Sequence, residues 1–482
     1  EITLNQIVVA DPSTQKIPEI YPQNWGKLLA NFWGFLLASN NPEKPIVETY
    51  SVPNTWREII QLSTSAISAI YNVQPYSIWE DIFIPSDELM ESLKKIVLFD
   101  NIFSLYQLRP SDTIKMLRGL FSWVEDDTFS EGLTIDHLIK TAQAIMDQDP
   151  KNHGLFIFKT EEIVKLFIES DRPKIKKALD IFSHAEKEIN KNYLLPHEIT
   201  KVNYIFKPLI KIGKSFVLIN RSWCAPAFYE SIAQKLRELL GADYINDKIG
   251  INLELFLRQE LCRKNVDIRY GKYKSNQMEG QCDLIAVNSK AIVFMELKKK
   301  ALTRASKSGN DAHLLIDISK SLLDSQIQMG NHELNLRRDG FLDLEENGNT
   351  YRLTLDQREV KRVSLTLHDH GSLQDRNLVF QILENFLCSN YRAIHPEDKD
   401  EFDKLSKKFK TFRNLYSELE KLRSGRSNTP FYHCWFLSVP QLLILLDDVN
   451  SGDDFQNCLD RIESISTSTH DFYSNYAYLG KK

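Results

Sequence analysis

Asp283, Glu296 and Lys298 are the residues whose types and spacing could do chemistry in this chain. Asp283 enters one apolar run, Leu284-Ile285-Ala286-Val287, and Glu296 and Lys298 leave a second, Ala291-Ile292-Val293-Phe294-Met295. The polar triplet Asn288-Ser289-Lys290 separates the runs, a pattern that predicts two strands joined in a hairpin. A two-residue or a four-residue loop gives the same register, and that register sets Asp283 opposite Glu296. Facing side chains in an antiparallel pair have Cβ atoms roughly 5 Å apart, so two carboxylates there repel unless a cation lies between them. Hard cations such as Mg²⁺ take oxygen ligands and are held by one or two carboxylates plus water and phosphate. Side chains alternate along a strand, so Lys298 projects from the same face as Glu296 and would reach the same cation.

The spacing Asp-x12-Glu-x-Lys at the end of an apolar strand resembles the PD-(D/E)XK phosphodiesterases, the restriction-endonuclease-like superfamily. The resemblance implies an α/β domain, a mixed sheet flanked by helices, that hydrolyses nucleic-acid phosphodiesters with Mg²⁺ or Mn²⁺. It implies that Asp283 and Glu296 bind the metal and that Lys298 assists the attacking water. Cys282 stands where the family's motif has Pro. A helix ahead of the core strands carries a further glutamate in this family. Here the run Ile251–Lys264 offers Glu254, with Glu260 as its rival nearer the apolar stripe of Leu253, Phe256, Leu257 and Leu261. A later helix often places a Gln near the catalytic lysine. On the predicted helix Asp311–Met329 this would be Gln326 or Gln328, with Lys320 as a third polar candidate.

The elements that must position these groups follow from the rest of the chain. At 42% hydrophobic and 26% charged, its 482 residues are ordinary for a globular protein of two or three parts. No run approaches the ~20 apolar residues of a membrane span, and nothing is laid out as a signal peptide, so a cytoplasmic location is expected. Six scattered cysteines without a C-x-x-C pair predict reduced thiols rather than a zinc site. Net charge is −5, but it is unevenly distributed. Residues 1–150 hold 20 acidic and 10 basic side chains, whereas residues 258–307 hold 12 basic and 5 acidic. A local positive field suits a phosphate backbone, with Lys299, Lys300, Arg304 and Lys307 as its contacts, and DNA is favoured over RNA. The acidic amino-terminal part suggests a protein partner or a solvated face.

Residues 1–195 are expected to be a mainly α-helical accessory domain, with helices at Trp25–Ala38, Thr55–Tyr71, Ser86–Val97, Asp112–Val124, Thr134–Met146 and Thr160–Ile168. Residues 196–245 read as a hairpin turned at Lys211–Lys214, a loop at 221–226 and the helix Ala227–Leu240. Gly213-Lys214-Ser215 is not a phosphate loop, because Pro208 stands where a Walker motif needs glycine. Residues 246–482 would be the nuclease-like domain, with strands at Val266–Lys274, Thr350–Leu355, Val360–His368 and Phe431–Leu437. His368-Asp369-His370 is read as structural, since nothing else in the sequence joins it as a metal cluster. The sum of these readings is a metal-dependent endonuclease, in restriction or anti-phage defence. The alternative is a nucleic-acid-binding or scaffold module that keeps the fold and cuts nothing.

Overall fold

The computed structural model describes residues 83–103, 106–148, 156–184, 189–195, 197–274, 279–346, 348–423, 431–463 and 470–479, with Leu62, Ala66, Ile67 and 69–71. The helix expected at Trp25–Ala38 lies outside these residues, as does most of Thr55–Tyr71. The chain is mixed α/β and divides into two compact units, 1–74 with 98–256 and 75–97 with 257–482. No helix among the described residues is long and apolar enough to cross a membrane.

The first unit is less purely helical than expected. Helices α1 (Pro110–Phe121), α2 (Ile135–Met146), α3 (Arg172–Ile181) and α4 (Arg221–Leu240) accompany a small sheet. Its strands β1 (Phe156–Lys159), β2 (Ser183–His184), β3 (Leu209–Ile212) and β4 (Ser215–Leu218) lie in the order β1-β4-β3-β2. The β3–β4 hairpin turns at Gly213-Lys214 as expected, with Gly213 at φ 58°. Helix α4 begins at Arg221, so the expected loop at 221–226 is its first turns. Asn220 caps it, accepting from Ser222 N at 2.9 Å and Trp223 N at 3.1 Å. Pro226 cannot donate back to Ser222 O, and Leu108 N takes that acceptor at 2.9 Å. Helix α5 (Ala242–Arg263) also starts earlier than expected, absorbing the presumed spacer. The division between units falls inside it.

The second unit is built on a seven-stranded sheet in the order β11-β10-β7-β6-β5-β8-β9. The strands are β5 (Asp267–Lys274), β6 (Glu279–Val287), β7 (Ala291–Lys298), β8 (Phe341–Glu346), β9 (Asn349–Thr354), β10 (Glu359–Thr366) and β11 (Cys434–Ser438). Strands β5, β6 and β7 form an antiparallel meander, and β10 lies parallel to both β7 and β11. Strand β8 is not among the expected strands, because Phe341-Leu342-Asp343-Leu344-Glu345-Glu346 mixes acids into its alternation. The crossover helix is longer than the sequence predicts. It runs as α6 (Asp311–Ile318), a π-helical turn at Ser319–Leu323, and α7 (Asp324–Asp339). Met329 and Leu336 of α7 pack on Ile285, Val287, Ile292 and Phe294. Helices α8 (Arg376–Cys388) and α9 (Lys399–Leu422) close a second core with Leu314, Leu322 and Phe436. Residues 75–97 count with this unit for a physical reason. Leu89, Leu93, Ile96 and Val97 fill that core, and Ile84 N donates to Gln381 Oε1 at 2.6 Å.

Candidate active site

The hairpin that carries the three charged residues is pinned at its turn. Asn288 Oδ1 accepts from Lys290 N at 2.8 Å and Ala291 N at 2.6 Å, and Asn288 N donates to Ala291 O at 3.1 Å. This local bonding is why the polar triplet reverses the chain. The ladder then runs Val287↔Ile292, Ala286↔Val293, Ile285↔Phe294 and Leu284↔Met295. One further step places Asp283 against Glu296, in the register that the sequence predicts. There a side chain replaces the backbone ladder, with Asp283 Oδ2 accepting from Leu297 N at 3.0 Å.

The other edge of β6 explains why Asp283 is turned this way. Strand β5 pairs Arg269↔Ile285 and Gly271↔Cys282, so Asp283 and Leu284 together oppose the single residue Tyr270. That is a β-bulge, a device that re-aims a side chain and interrupts pairing. Gly271 permits the close approach of the next strand. It sits at φ +133°, and a Cβ there would run into the Glu345 carbonyl.

Glu296 is 3% exposed. Its Oε1 receives Lys298 Nζ at 3.1 Å, while its Oε2 is buried without a hydrogen-bond partner. Burial, then the Asp283 charge, push the Glu296 carboxyl up to about 8, against the pull of Lys298. Burial also raises Asp283, opposed by the Leu297 N–H and Lys298. Without a cation the pair therefore keeps a proton near neutral pH. The buried Glu296, with one oxygen unpartnered, and the half-buried Asp283 form a donor set that fits a hard cation, and two carboxylates are enough for Mg²⁺. Among the described residues, no group of three or more His, Cys, Asp or Glu side chains is arranged to hold a metal. Glu254 is half-buried on α5 and belongs to the first unit's side of the division. Its rival Glu260 is 8% exposed and bonded by Arg263, a structural ion pair.

Glu296 and Lys298 share the strand parity of Ile292 and Phe294, so they face α7. There Lys298 Nζ also donates to Gln328 Oε1. Gln326 does something different. It is fully buried and gives Nε2 to Ser364 Oγ at 2.9 Å, and Ser364 is the β10 register partner of Glu296. Lys320, the third polar candidate, pairs instead with Glu401 at 3.0 Å.

The four basic loop residues separate. Lys299 and Arg304 are exposed and Lys307 is half-buried, whereas Lys300 bonds the buried Asp317 at 3.0 Å. Asp317 also accepts from Ser306 Oγ at 2.5 Å and Thr303 N at 2.6 Å, tying the loop down. Nothing in the sequence distinguishes Asp317 from a helix-surface acid until its partners are known. His368-Asp369-His370 keeps its structural reading. Asp369 accepts from Ser438 Oγ, and from Tyr473 Oη at 2.6 Å, and His370 Nδ1 lies 3.2 Å from His368 O.

No known family model, curated protein or solved structure matches this chain. Its function is therefore to be read from the geometry and chemistry of the site alone.

Proposed function

We propose that the second unit is a restriction-endonuclease-like domain and that the protein is a metal-dependent endonuclease hydrolysing nucleic-acid phosphodiesters, DNA in preference to RNA. The observation that carries this reading is the pairing of Asp283 with Glu296 across β6 and β7, with Lys298 two residues on. A purely structural strand end has no use for a buried carboxylate opposed to a half-buried one, since the arrangement costs burial and repulsion together. The order of elements supports the same reading: helix α5, the β5–β6–β7 meander, a crossover helix, then further strands and covering helices.

Asp283 and Glu296 would hold Mg²⁺ or Mn²⁺. The ion, when bound, supplies a water of lowered pKa and neutralises phosphate charge. Lys298, fixed between Glu296 and Gln328, presents an ammonium to the phosphate, where negative charge grows as the bond to the leaving oxygen breaks. Gln328 limits the lysine's rotamers. Lys299, Arg304 and Lys307 extend the positive surface beyond the strand end. A nuclease beside a separate unit of other architecture fits restriction or anti-phage defence, and the acidic residues 1–150 fit a protein partner. The test is purified protein on plasmid, linear duplex, single-stranded DNA and RNA with Mg²⁺, Mn²⁺ or EDTA. Cleavage that EDTA abolishes supports the reading. Intact substrates throughout would leave a module that binds and does not cut.

A further inference from the structure

We propose that Lys407 and Lys410, on the exposed face of α9 with Lys408 at its base, form a second surface for the phosphodiester backbone of the substrate. The assignment rests on reading the Asp283–Glu296 centre as one that acts on nucleic acid.

Helix α9 buries one stripe, Phe402, Leu405, Phe409, Phe412, Tyr416 and Leu419, and leaves the other side to solvent. Its charges are segregated along its length. From Lys404 to Tyr416 it carries Lys404, Lys407, Lys408, Lys410 and Arg413 and no acid. Asp400, Glu401 and Asp403 precede this stretch, and Glu418 and Glu420 follow it. A helix that pairs its own charges sets acids three or four positions from its bases, and like charges at those spacings repel. Lys404, Lys407 and Lys410 stand three apart, so the arrangement costs helix stability unless an anion covers it. Two of the cations are answered from outside the stretch, Lys404 by Glu401 at 2.7 Å and Lys408 by Asp324 at 2.6 Å. Arg413 bonds Ser389 O and Asn390 Oδ1. Lys407 and Lys410 are exposed, and among the described residues neither pairs with a carboxylate.

Packing sets this face near Lys298. Lys320 meets Glu401, Asp324 meets Lys408, Leu334 packs with Leu415 and Leu419, and Arg338 meets Glu418. The positions ascend together, so α9 runs parallel to α7 and in contact with it. Helices packed in this way lie about 8–10 Å apart. Gln328, which accepts from Lys298 Nζ, follows Asp324 by one turn of α7. Measured along the axes from the Asp324–Lys408 pair, Lys407 and Lys410 therefore stand within about 8 Å of the level of Gln328. One strand of a duplex advances about 3.4 Å per phosphate, so a backbone held at Lys298 reaches them within a few nucleotides. Lysine suits such a contact, because a compact ammonium on a flexible stem meets phosphate as a point charge and reads no base.

The test uses the full chain and a fluorescent duplex in EDTA, with polyglutamate as a second polyanion. Binding is titrated across a salt series for the wild type, for Lys407→Gln combined with Lys410→Gln, and for Lys421→Gln. Glutamine keeps the helix propensity of lysine, so the thermal melts of all three should coincide. The double substitution should flatten the slope of log K against log salt by about 1.8, at about 0.9 for each phosphate no longer neutralised, and weaken binding about tenfold or more at low salt. Lys421→Gln removes a charge already paired with Glu418 and should keep the slope. A merely structural role would move the melts and leave the slope. Duplex binding with a wild-type slope in the double variant would overturn this surface and leave the centre standing. Polyglutamate binding that depends on the two lysines, beside duplex binding that does not, would assign the face to an acidic protein and overturn the proposal in the same way. A wild type that binds no nucleic acid would overturn the reading of the centre and this surface together.

Discussion

Asp283 and Glu296 face each other one step beyond the last paired rung of the β6–β7 ladder, and the buried Oε2 of Glu296 has no hydrogen-bond partner. In the metal-free protein this relationship makes stability depend on pH in a defined direction. The Glu296 carboxyl is raised from 4.5 to about 8, so the folded state holds a proton that the unfolded state has released. Stability is therefore greatest near and below the unfolded value and falls as pH rises toward about 8. Glu296→Gln removes the titrating group. Its metal-free Tm at pH 8 should exceed that of the wild type by a few degrees, at about 2–4 °C per kcal/mol for a domain of this size. Mn²⁺ should erase the wild-type loss, because the cation replaces the proton. Thermal melts from pH 5 to 8, with and without Mn²⁺, check this, and parallel pH profiles for the two proteins would contradict it.

Lys298 is expected to act on the chemical step. Lys298→Ala should leave metal binding close to wild type, since an ammonium is not a ligand, and slow single-turnover cleavage by about 10² or more. Gln328→Ala should slow it less, because the Glu296 contact still holds Lys298. Equal losses of binding and rate in Lys298→Ala would make the residue a phosphate anchor.

The central hairpin is legible in the sequence because each of its signals is local. An Asn-led polar turn and two apolar runs determine a register, and the register determines which charges meet. The bulge at Asp283 and Leu284 is not legible, since it depends on how β5 pairs, and Tyr270 looks like any strand tyrosine. Strand β10 is predicted, but the partners of its charges are not. Lys361 and Arg362 are each 1% exposed, a burial that their residue types alone would argue against. Lys361 is matched by Asp460 at 2.5 Å, a residue almost a hundred positions away. Strands β1 and β2 escape prediction because runs of four and two residues leave too little pattern to read.

The basic loop should divide by function. Lys299→Ala combined with Arg304→Ala should weaken DNA binding about equally on all sequences and flatten the salt slope by roughly 0.9 for each phosphate no longer neutralised. Lys300→Ala should instead show mainly as a stability loss of about 1–2 kcal/mol, because the buried Asp317 loses a charged partner while keeping Ser306 and Thr303. Binding titrations beside denaturant melts separate the two effects. A slope unchanged by the double substitution would leave the loop a solvated surface.

Glu333 should matter for the fold alone. It is fully buried and bonds Arg337 at 2.7 Å and Arg423 at 2.9 Å, with Arg362 Nε at 3.5 Å. Burial works to raise its carboxyl, yet the three guanidinium charges hold it down at about 2. Glu333→Ala leaves these cations facing an empty space and should cost about 3–5 kcal/mol. Urea melts give the value, and a loss below about 1 kcal/mol would mean that water enters and replaces the carboxylate.

The function of the protein turns on whether the opposed carboxylates make a catalytic metal site. The most direct measurement is cleavage of supercoiled plasmid and linear duplex by wild type and Asp283→Ala, side by side, with Mn²⁺ and with EDTA. We expect the wild type to cut with Mn²⁺ and not with EDTA, and Asp283→Ala to remain folded, bind the duplex and leave it intact. Cleavage by Asp283→Ala at the wild-type rate would contradict a catalytic role for the pair.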